Sequence, residues 1–248
     1  MFTVYGHRGL PSKAPENTLA SYKEAANTPG LKWIELDVAI TKDEHLVMIH
    51  DDYLDRTTDM VGEVTQLNYT DIKDASAGSW FGTEFESEQL PTFDEVIELA
   101  NTYKMNLNIE LKGVTGANGT ALSESMVKQV AKKLKALDSD LKVLISSFNV
   151  VLVKLAQHFM PNYERAVIFK AASFGEDWRT LLEFCGSSIV NIEDAKLTQA
   201  RVKKIKNAGY ALNVWTVNKK LRANQLANWG VDGIFTDKAD EMIHLEKL

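Results

Sequence analysis

Trp33-Ile34-Glu35-Leu36-Asp37-Val38 decides how the rest of the chain is read. Side chains alternate along a strand, so Ile34, Leu36 and Val38 take one face while Glu35 and Asp37 project from the other. Two carboxylates at one spot repel each other unless a cation joins them. A related stretch, Asn108-Ile109-Glu110-Leu111-Lys112, sets Glu110 and Lys112 on one face at the end of another apolar strand. His7 and His50 each close a predicted strand on either side of the Glu35/Asp37 pair. Three carboxylates, two histidines and a lysine point to metal-assisted chemistry on an anion.

Working outward, short apolar runs at 2–5, 33–38, 46–49, 107–111, 143–147, 166–169, 188–192, 210–214 and 233–235 read as strands. Most are rich in Val, Ile and Leu, as expected where both faces of a parallel sheet are covered. A helix is expected over 17–26. Phe93, Val96, Ile97 and Ala100 recur at helical spacing, as do Leu122, Met126, Val130, Leu134 and Leu137. Strand–helix alternation implies a parallel sheet, either closed or doubly wound. The closed (β/α)8 TIM barrel is favoured, because the candidate residues lie at the C-terminal ends of several different strands. An open sheet would gather its ligands at one crevice. The chain, 248 residues long, matches the ~250 typical of one such barrel, so a single catalytic domain over 1–248 is expected.

Residues 51–90 break the rhythm. They are polar and lack a long amphipathic period, and read as a small insertion over the barrel mouth. Trp80, Phe81 and Phe85 are expected to pack it down, the other reading being an exposed lipid-contacting patch.

A formal net charge of −6 argues against a nucleic-acid partner, yet a local pair such as Arg8 and Lys112 can still hold a small phosphorylated substrate. No stretch approaches the ~20 apolar residues of a membrane span. The start, Met-Phe-Thr-Val-Tyr-Gly-His, has no basic leader or apolar region, so a soluble cytoplasmic chain is expected. Its one cysteine, Cys185, fits a reducing compartment and reads as a buried small hydrophobe.

Gly6-His7-Arg8-Gly9 and Pro15-Glu16-Asn17-Thr18 are followed in order by Trp33 to Val38, His50-Asp51, Asp55-Arg56-Thr57-Thr58 and Leu90-Pro91-Thr92. Then come Glu110-Leu111-Lys112, Val214-Trp215-Thr216-Val217-Asn218, and Val231-Asp232-Gly233-Ile234-Phe235-Thr236-Asp237. Each motif alone is weak. Together, from residue 6 to about 240, they resemble the glycerophosphodiester phosphodiesterase family of the bacterial cytosolic type.

The resemblance implies that Glu35, Asp37 and Glu110 bind a divalent cation, that His7 and His50 act as acid and base, and that Arg8 and Lys112 hold the phosphate. Carboxylate ligands independently suit Mg²⁺ or Ca²⁺, with Mn²⁺ also open. The competing reading is a plain ion-pair network among these carboxylates, Lys112 and Arg8. Trp215 resembles a residue that lines the family's substrate pocket, and a barrel-core tryptophan is the other reading. Glu16 and Asn17 are assigned to helix capping and to hydrogen bonds with the loop carrying His7. Asp51 is not assumed to orient His50, since neighbours in a strand point apart. His45, His158 and His244 read as ordinary surface or core residues, and Arg201 to Lys206 as a solvated helix face with Val202 and Ile205 inward. One departure from the family pattern is Lys238-Ala239-Asp240 in place of a Pro-bearing turn after Thr236-Asp237.

The activity implied is hydrolysis of glycerophosphodiesters to sn-glycerol 3-phosphate and an alcohol. The glycerol 2-hydroxyl, deprotonated by one histidine, would attack phosphorus while the other protonates the leaving alcohol, and water would then open the cyclic phosphate. The alternatives are a lysophospholipase D-type enzyme needing an acyl groove, a metal-free phospholipase C-like barrel, and a non-catalytic phosphodiester-binding barrel.

Overall fold

The fold, taken from a computed structural model, covers residues 2–247. The chain forms β1 (Thr3–Gly6), α1 (Leu19–Ala26), β2 (Trp33–Ile40), β3 (Leu46–Met48), α2 (Tyr69–Ile72), α3 (Phe93–Tyr103) and β4 (Asn106–Leu111). There follow α4 (Gly119–Lys133), β5 (Val143–Ser147), α5 (Val150–Phe159), β6 (Glu164–Phe169), α6 (Trp178–Cys185) and β7 (Ile189–Glu193). It ends with α7 (Gln199–Asn207), β8 (Ala211–Trp215), α8 (Lys220–Asn228), β9 (Gly233–Thr236) and α9 (Ala239–Met242). Strand order runs β1-β9-β8-β7-β6-β5-β4-β2, and β1 pairs back onto β2, which closes the parallel barrel expected from the sequence. β3 lies antiparallel on β2, Val38 opposite Met48, outside the ring.

The outward strand faces and the helices share one core. In α3 a capping box joins Thr92 to Glu95 at the start, and Phe93, Val96, Ile97 and Ala100 are buried. Phe93→Ala would leave a cavity costing about 3–5 kcal/mol. Leu122, Met126 and Val130 bury one face of α4, and Leu134 carries the same stripe into a closing 3₁₀ turn. On α7, Val202 and Ile205 face inward beneath the basic run. The first helix starts later than expected: Thr18 caps it, its Oγ1 accepting from Ser21 N at 3.2 Å. Asn17 instead takes a left-handed φ of 55°, which releases its side chain toward the barrel.

Inside the barrel, inward residues come in layers two positions apart. Tyr5, Leu144, Ala166, Ile189 and Phe235 fill the lower interior, with Tyr5 stacked on Phe235 at 4.5 Å. Next comes a buried polar layer, in which Asn108 Nδ2 donates to Ser146 Oγ at 3.1 Å and Asn213 Nδ2 to Asn191 Oδ1 at 3.0 Å. One step further up, the same strands present Glu110, Phe148, Glu193 and Trp215 at the mouth.

After β3, segment 51–90 is short turns plus α2. Leu54, Val64, Ile72, Ala77 and Leu90 form its core against Ala39, Val47 and Ile49. The aromatics do not pin it down: Trp80 and Phe81 are 42% and 36% exposed and touch edge to face, with Phe85 on the far side of Phe81. Compact aliphatic side chains take the space under the segment, and the larger rings are left at its rim.

Candidate active site

A cavity of about 900 Å³ opens at the C-terminal end of the barrel strands. β2 delivers Glu35 to its lining with Asp37 beside it, β4 delivers Glu110, and Lys112 follows just past the end of that strand. One carboxylate oxygen from each of Glu35, Asp37 and Glu110 lies within 4.8 Å of the others, and all three residues are buried.

The loop after β1 closes over this cluster. Arg8 and Gly9 have φ of 56° and 94°. A side chain at Gly9 would put Cβ 2.3 Å from Ser21 Oγ, so only glycine permits this turn against α1. The turn aims the Arg8 amide at Glu35 Oε2, 2.7 Å away. The Arg8 side chain donates to Glu16 Oε1 at 2.6 Å and sets Nε 3.3 Å from Asp37 Oδ2. Lys112 Nζ donates to Glu110 Oε1 at 2.8 Å and stands 3.3 Å from Asp37 Oδ1, without hydrogen-bond alignment to the latter. Asn17, freed from the helix start, donates to Asp37 Oδ2 at 2.9 Å and is itself held by the Tyr22 hydroxyl at 2.9 Å.

Charge is unevenly offset in this group. Burial opposes ionisation of Asp37, yet Lys112, Arg8 and His50 together hold its carboxyl below the usual range. Glu35 is less well offset: burial, then Asp37 and Glu110, push it well above the usual range in spite of Arg8. Burial and Asp37 likewise raise Glu110 in spite of Lys112. Were all three carboxyls ionised, Arg8 and Lys112 would leave one negative charge unmatched, and burial accordingly drives Glu35 and Glu110 toward the neutral form unless a cation joins them. An oxygen-only donor set with a surplus negative charge fits a hard divalent cation such as Mg²⁺ or Ca²⁺ better than zinc.

Both histidines line the cavity, and each is braced by a carboxylate. His7 Nδ1 donates to Asp237 Oδ1 at 2.7 Å, and Asp237 is fixed by Asn218 Nδ2 at 2.6 Å. His50 Nδ1 donates to Asp51 Oδ1 at 2.6 Å. An ionised carboxylate only accepts, so each Nδ1 carries its proton and each Nε2 is left for a substrate. Asp51 thus does orient His50, which strand alternation gave no ground to assume. The strand has already ended at Met48, and residues 50–52 form a bend in which side-chain alternation no longer applies. Burial lowers the His50 imidazole, and Arg56 with His50 holds Asp51 at about 2.

Across the mouth, Trp215 meets Phe148 edge to face, ring centroids 5.4 Å apart at 88°. Trp215 lines the cavity and also rests on the lower interior cluster, so both readings of it describe part of its surroundings. Lys170 and Glu193 complete this wall, with Glu193 Oε2 accepting from Ala171 N at 2.9 Å. Phe148, Lys170 and Glu193 stand at or just after the ends of strands read from the sequence; that position was the available signal for them. Asp237 was visible in a motif, but its partner His7 lies 230 residues away.

The other histidines lie outside the cavity. His45 stacks on Tyr69 at 4.9 Å, His158 meets Phe159 edge to face, and His244 pairs with Asn224 at 2.9 Å. Cys185 is buried, and burial raises its thiol, as expected of a small core hydrophobe. Among the described residues no helix is long and apolar enough to cross a membrane.

The glycerophosphoryl diester phosphodiesterase family model matches residues 7–241. A glycerophosphodiester phosphodiesterase of Caldanaerobacter subterraneus is 34% identical over 242 residues, covering 98% of this chain and 96% of that protein. An Oleispira antarctica phosphodiesterase, solved with the product sn-glycerol-3-phosphate, superposes with a TM-score of 0.91 at 34% identity, over 99% of this chain and 97% of that one. A glycerophosphodiester phosphodiesterase from Agrobacterium tumefaciens gives 0.78 at 26% identity, over 98% and 100% of the respective chains. Barrel, motif order and these matches over nearly the whole length agree: the chain belongs to the glycerophosphoryl diester phosphodiesterase family.

Proposed function

We propose that this protein hydrolyses glycerophosphodiesters to sn-glycerol 3-phosphate and an alcohol such as choline or ethanolamine. The observation that carries the reading is one cavity holding Glu35, Asp37 and Glu110 within 4.8 Å, Arg8 and Lys112 beside them, and two histidines each braced by a carboxylate. The product bound to the Oleispira relative supports the substrate class.

Glu35, Asp37 and Glu110 would hold a divalent cation, Mg²⁺ or Ca²⁺ foremost and Mn²⁺ as a third candidate. When bound, the cation supplies charge stabilisation at the phosphoryl oxygens. Arg8 and Lys112, both mostly buried, offset the negative charge that builds on the phosphate. One histidine accepts at Nε2 the proton of the attacking glycerol 2-hydroxyl and the other gives a proton to the leaving alcohol oxygen; water then opens the cyclic phosphate with the two roles exchanged. Paired acid and base of this kind contribute about 10²–10⁴-fold each. Asp237 and Asp51 keep the rings in the tautomer that exposes Nε2 and steady the imidazolium as it forms. Trp215 gives the carbon skeleton of the substrate an apolar wall. The chemistry fits a cytoplasmic enzyme on small soluble diesters, with no role for nucleic acid.

The test compares release of sn-glycerol 3-phosphate from glycerophosphocholine with release of choline from micellar lysophosphatidylcholine, each with Mg²⁺, Ca²⁺ or Mn²⁺ and in EDTA. The proposal expects faster turnover of the small diester and its loss in EDTA. Faster turnover of the lysolipid moves the substrate class, and full activity in EDTA removes the cation from the account.

A further inference from the structure

Segment 51–90 lines the cavity with Asp51, Asp52 and Tyr53, and behind them stands Arg56, a side chain that sequence motifs leave without a role. Arg56 spends four N–H groups on two carboxylates. Nε and Nη2 donate to Asp51 Oδ2 and Oδ1 at 2.6 and 3.0 Å, and Nη1 and Nη2 donate to Glu16 Oε2 and Oε1 at 3.0 and 2.7 Å. Each carboxylate continues inward. Asp51 Oδ1 accepts from His50 Nδ1 at 2.6 Å, and Glu16 Oε1 from Arg8 Nη1 at 2.6 Å.

We propose that Arg56 is a positioning residue: by locking Asp51 and Glu16 onto one planar fork, it sets the His50 ring and the Arg8 guanidinium toward the substrate phosphate. The inference rests on the hydrolysis proposed above. Asp51 immediately follows His50, and adjacent side chains do not face each other by default. A bend and the grip of Arg56 turn the carboxylate back over the ring. Arg56 is itself placed by the segment's fold, because Thr58 Oγ1 and N both bond to Leu54 O, and Leu54 lies in the segment's aliphatic core. The Arg56 side chain is 46% exposed while Glu16 is largely buried, so melting temperatures are needed to separate a structural role from a positioning one. A planar guanidinium suits two carboxylates at once, whereas a lysine ammonium is a single point charge.

The test measures kcat and KM on glycerophosphocholine with Mg²⁺ for the native enzyme, Arg56→Gln, Arg56→Lys, Asp51→Asn, Glu16→Gln, and Arg56→Gln combined with each of the last two. Melting temperature and its shift with Mg²⁺ are recorded alongside. Both Arg56 variants should lose about 10–100-fold in kcat/KM while the Mg²⁺-induced shift is kept. The double variant with Asp51→Asn should have the kcat of Asp51→Asn alone, and that with Glu16→Gln the KM of Glu16→Gln alone. Native-like kcat/KM in Arg56→Lys or Arg56→Gln overturns the proposal. So do additive losses in the double variants, and so does a loss that only follows the folded fraction. Proton NMR of the imidazole Nδ1–H signals reads the geometry without turnover. The His50 signal, assigned by its loss in Asp51→Asn, should broaden or vanish in Arg56→Gln, while that of His7 stays; an unchanged His50 signal overturns the proposal. A native protein that turns over nothing with any of the three metals defeats the hydrolysis reading instead.

Discussion

The barrel mouth has two walls of opposite character. On β1, β2 and β4, with the bend after β3, nearly every side chain is charged and tied to another: His7 to Asp237, His50 to Asp51, Arg8 to Glu16 and Asp37, Lys112 to Glu110. Across the ring, β5 to β8 present Phe148, Lys170, Glu193 and Trp215. There Phe148 is 39% exposed, and among the described residues neither Lys170 nor Glu193 has an ion-pair partner. Prearranged charge is what a phosphoryl transfer needs, because dipoles already in place cost no reorganisation in the transition state. A looser aromatic wall can meet varied alcohol groups. Under the proposed function the contrast divides the labour: chemistry would fall to the first wall and accommodation of the leaving group to the second.

The same substitution on both walls is the sharpest way to break this division. Lys112→Gln should cut kcat by about 10²–10³-fold, the scale seen when one preorganised donor to a developing charge is removed. Lys170→Gln should leave kcat within a factor of about three, since an exposed unpaired ammonium offers no such preorganisation. Phe148→Ala and Trp215→Ala belong with the second wall and should raise KM several-fold with kcat nearly kept. Steady-state kinetics on glycerophosphocholine decide it, and a Lys170→Gln loss equal to that of Lys112→Gln would erase the distinction.

A smaller effect concerns the strain stored in the charged wall. Glu35 is raised by burial and by its carboxylate neighbours. For a carboxyl this means that the ionised form is penalised in the fold, so the cost is present above the folded pKa and fades as pH falls through it. Glu35→Gln should therefore melt higher than the native protein in EDTA at about pH 8, by about 2–4 °C for each kcal/mol relieved. The advantage should shrink on acidification, and added Mg²⁺ should stabilise the native protein far more than the variant. Calorimetry showing the variant less stable in EDTA at high pH would contradict the electrostatic picture.

The smallest effect is expected away from both walls. Trp80→Ser and Phe81→Ser, at the exposed rim of segment 51–90, should change stability by no more than about 0.5 kcal/mol. Ile72→Ala, in the core of that segment, should cost about 2–5 kcal/mol. Chemical denaturation separates the two cases, and a large cost at Trp80 would restore the aromatics as the segment's anchor.

Much of the charged wall was legible because strand periodicity and motif order carry it: Glu35 and Asp37 two apart, Glu110 and Lys112 two apart, His7 and His50 at strand ends. The barrel was legible from short apolar strands alternating with helical stripes. What escaped was set by tertiary closure or by departures from local rules. Asp237 reaches His7 only because β9 pairs with β1. Asp51 reaches His50 only because the strand has ended, so strand alternation gave no sign of it. Asn17 looked like a cap, yet its left-handed backbone gives that task to Thr18 and spends the amide on Asp37. Phe148, Lys170 and Glu193 carry no motif of their own, and only their positions on a closed ring bring them to one cavity.

The most direct test of the charged wall as the seat of catalysis is release of sn-glycerol 3-phosphate from glycerophosphocholine by the native protein, His7→Ala, His50→Ala and Glu35→Ala, each with Mg²⁺ and with EDTA. The account predicts release by the native protein only with the metal, and a loss of at least about 10²-fold in each variant. Metal-independent release, or native rates in either histidine variant, would contradict it.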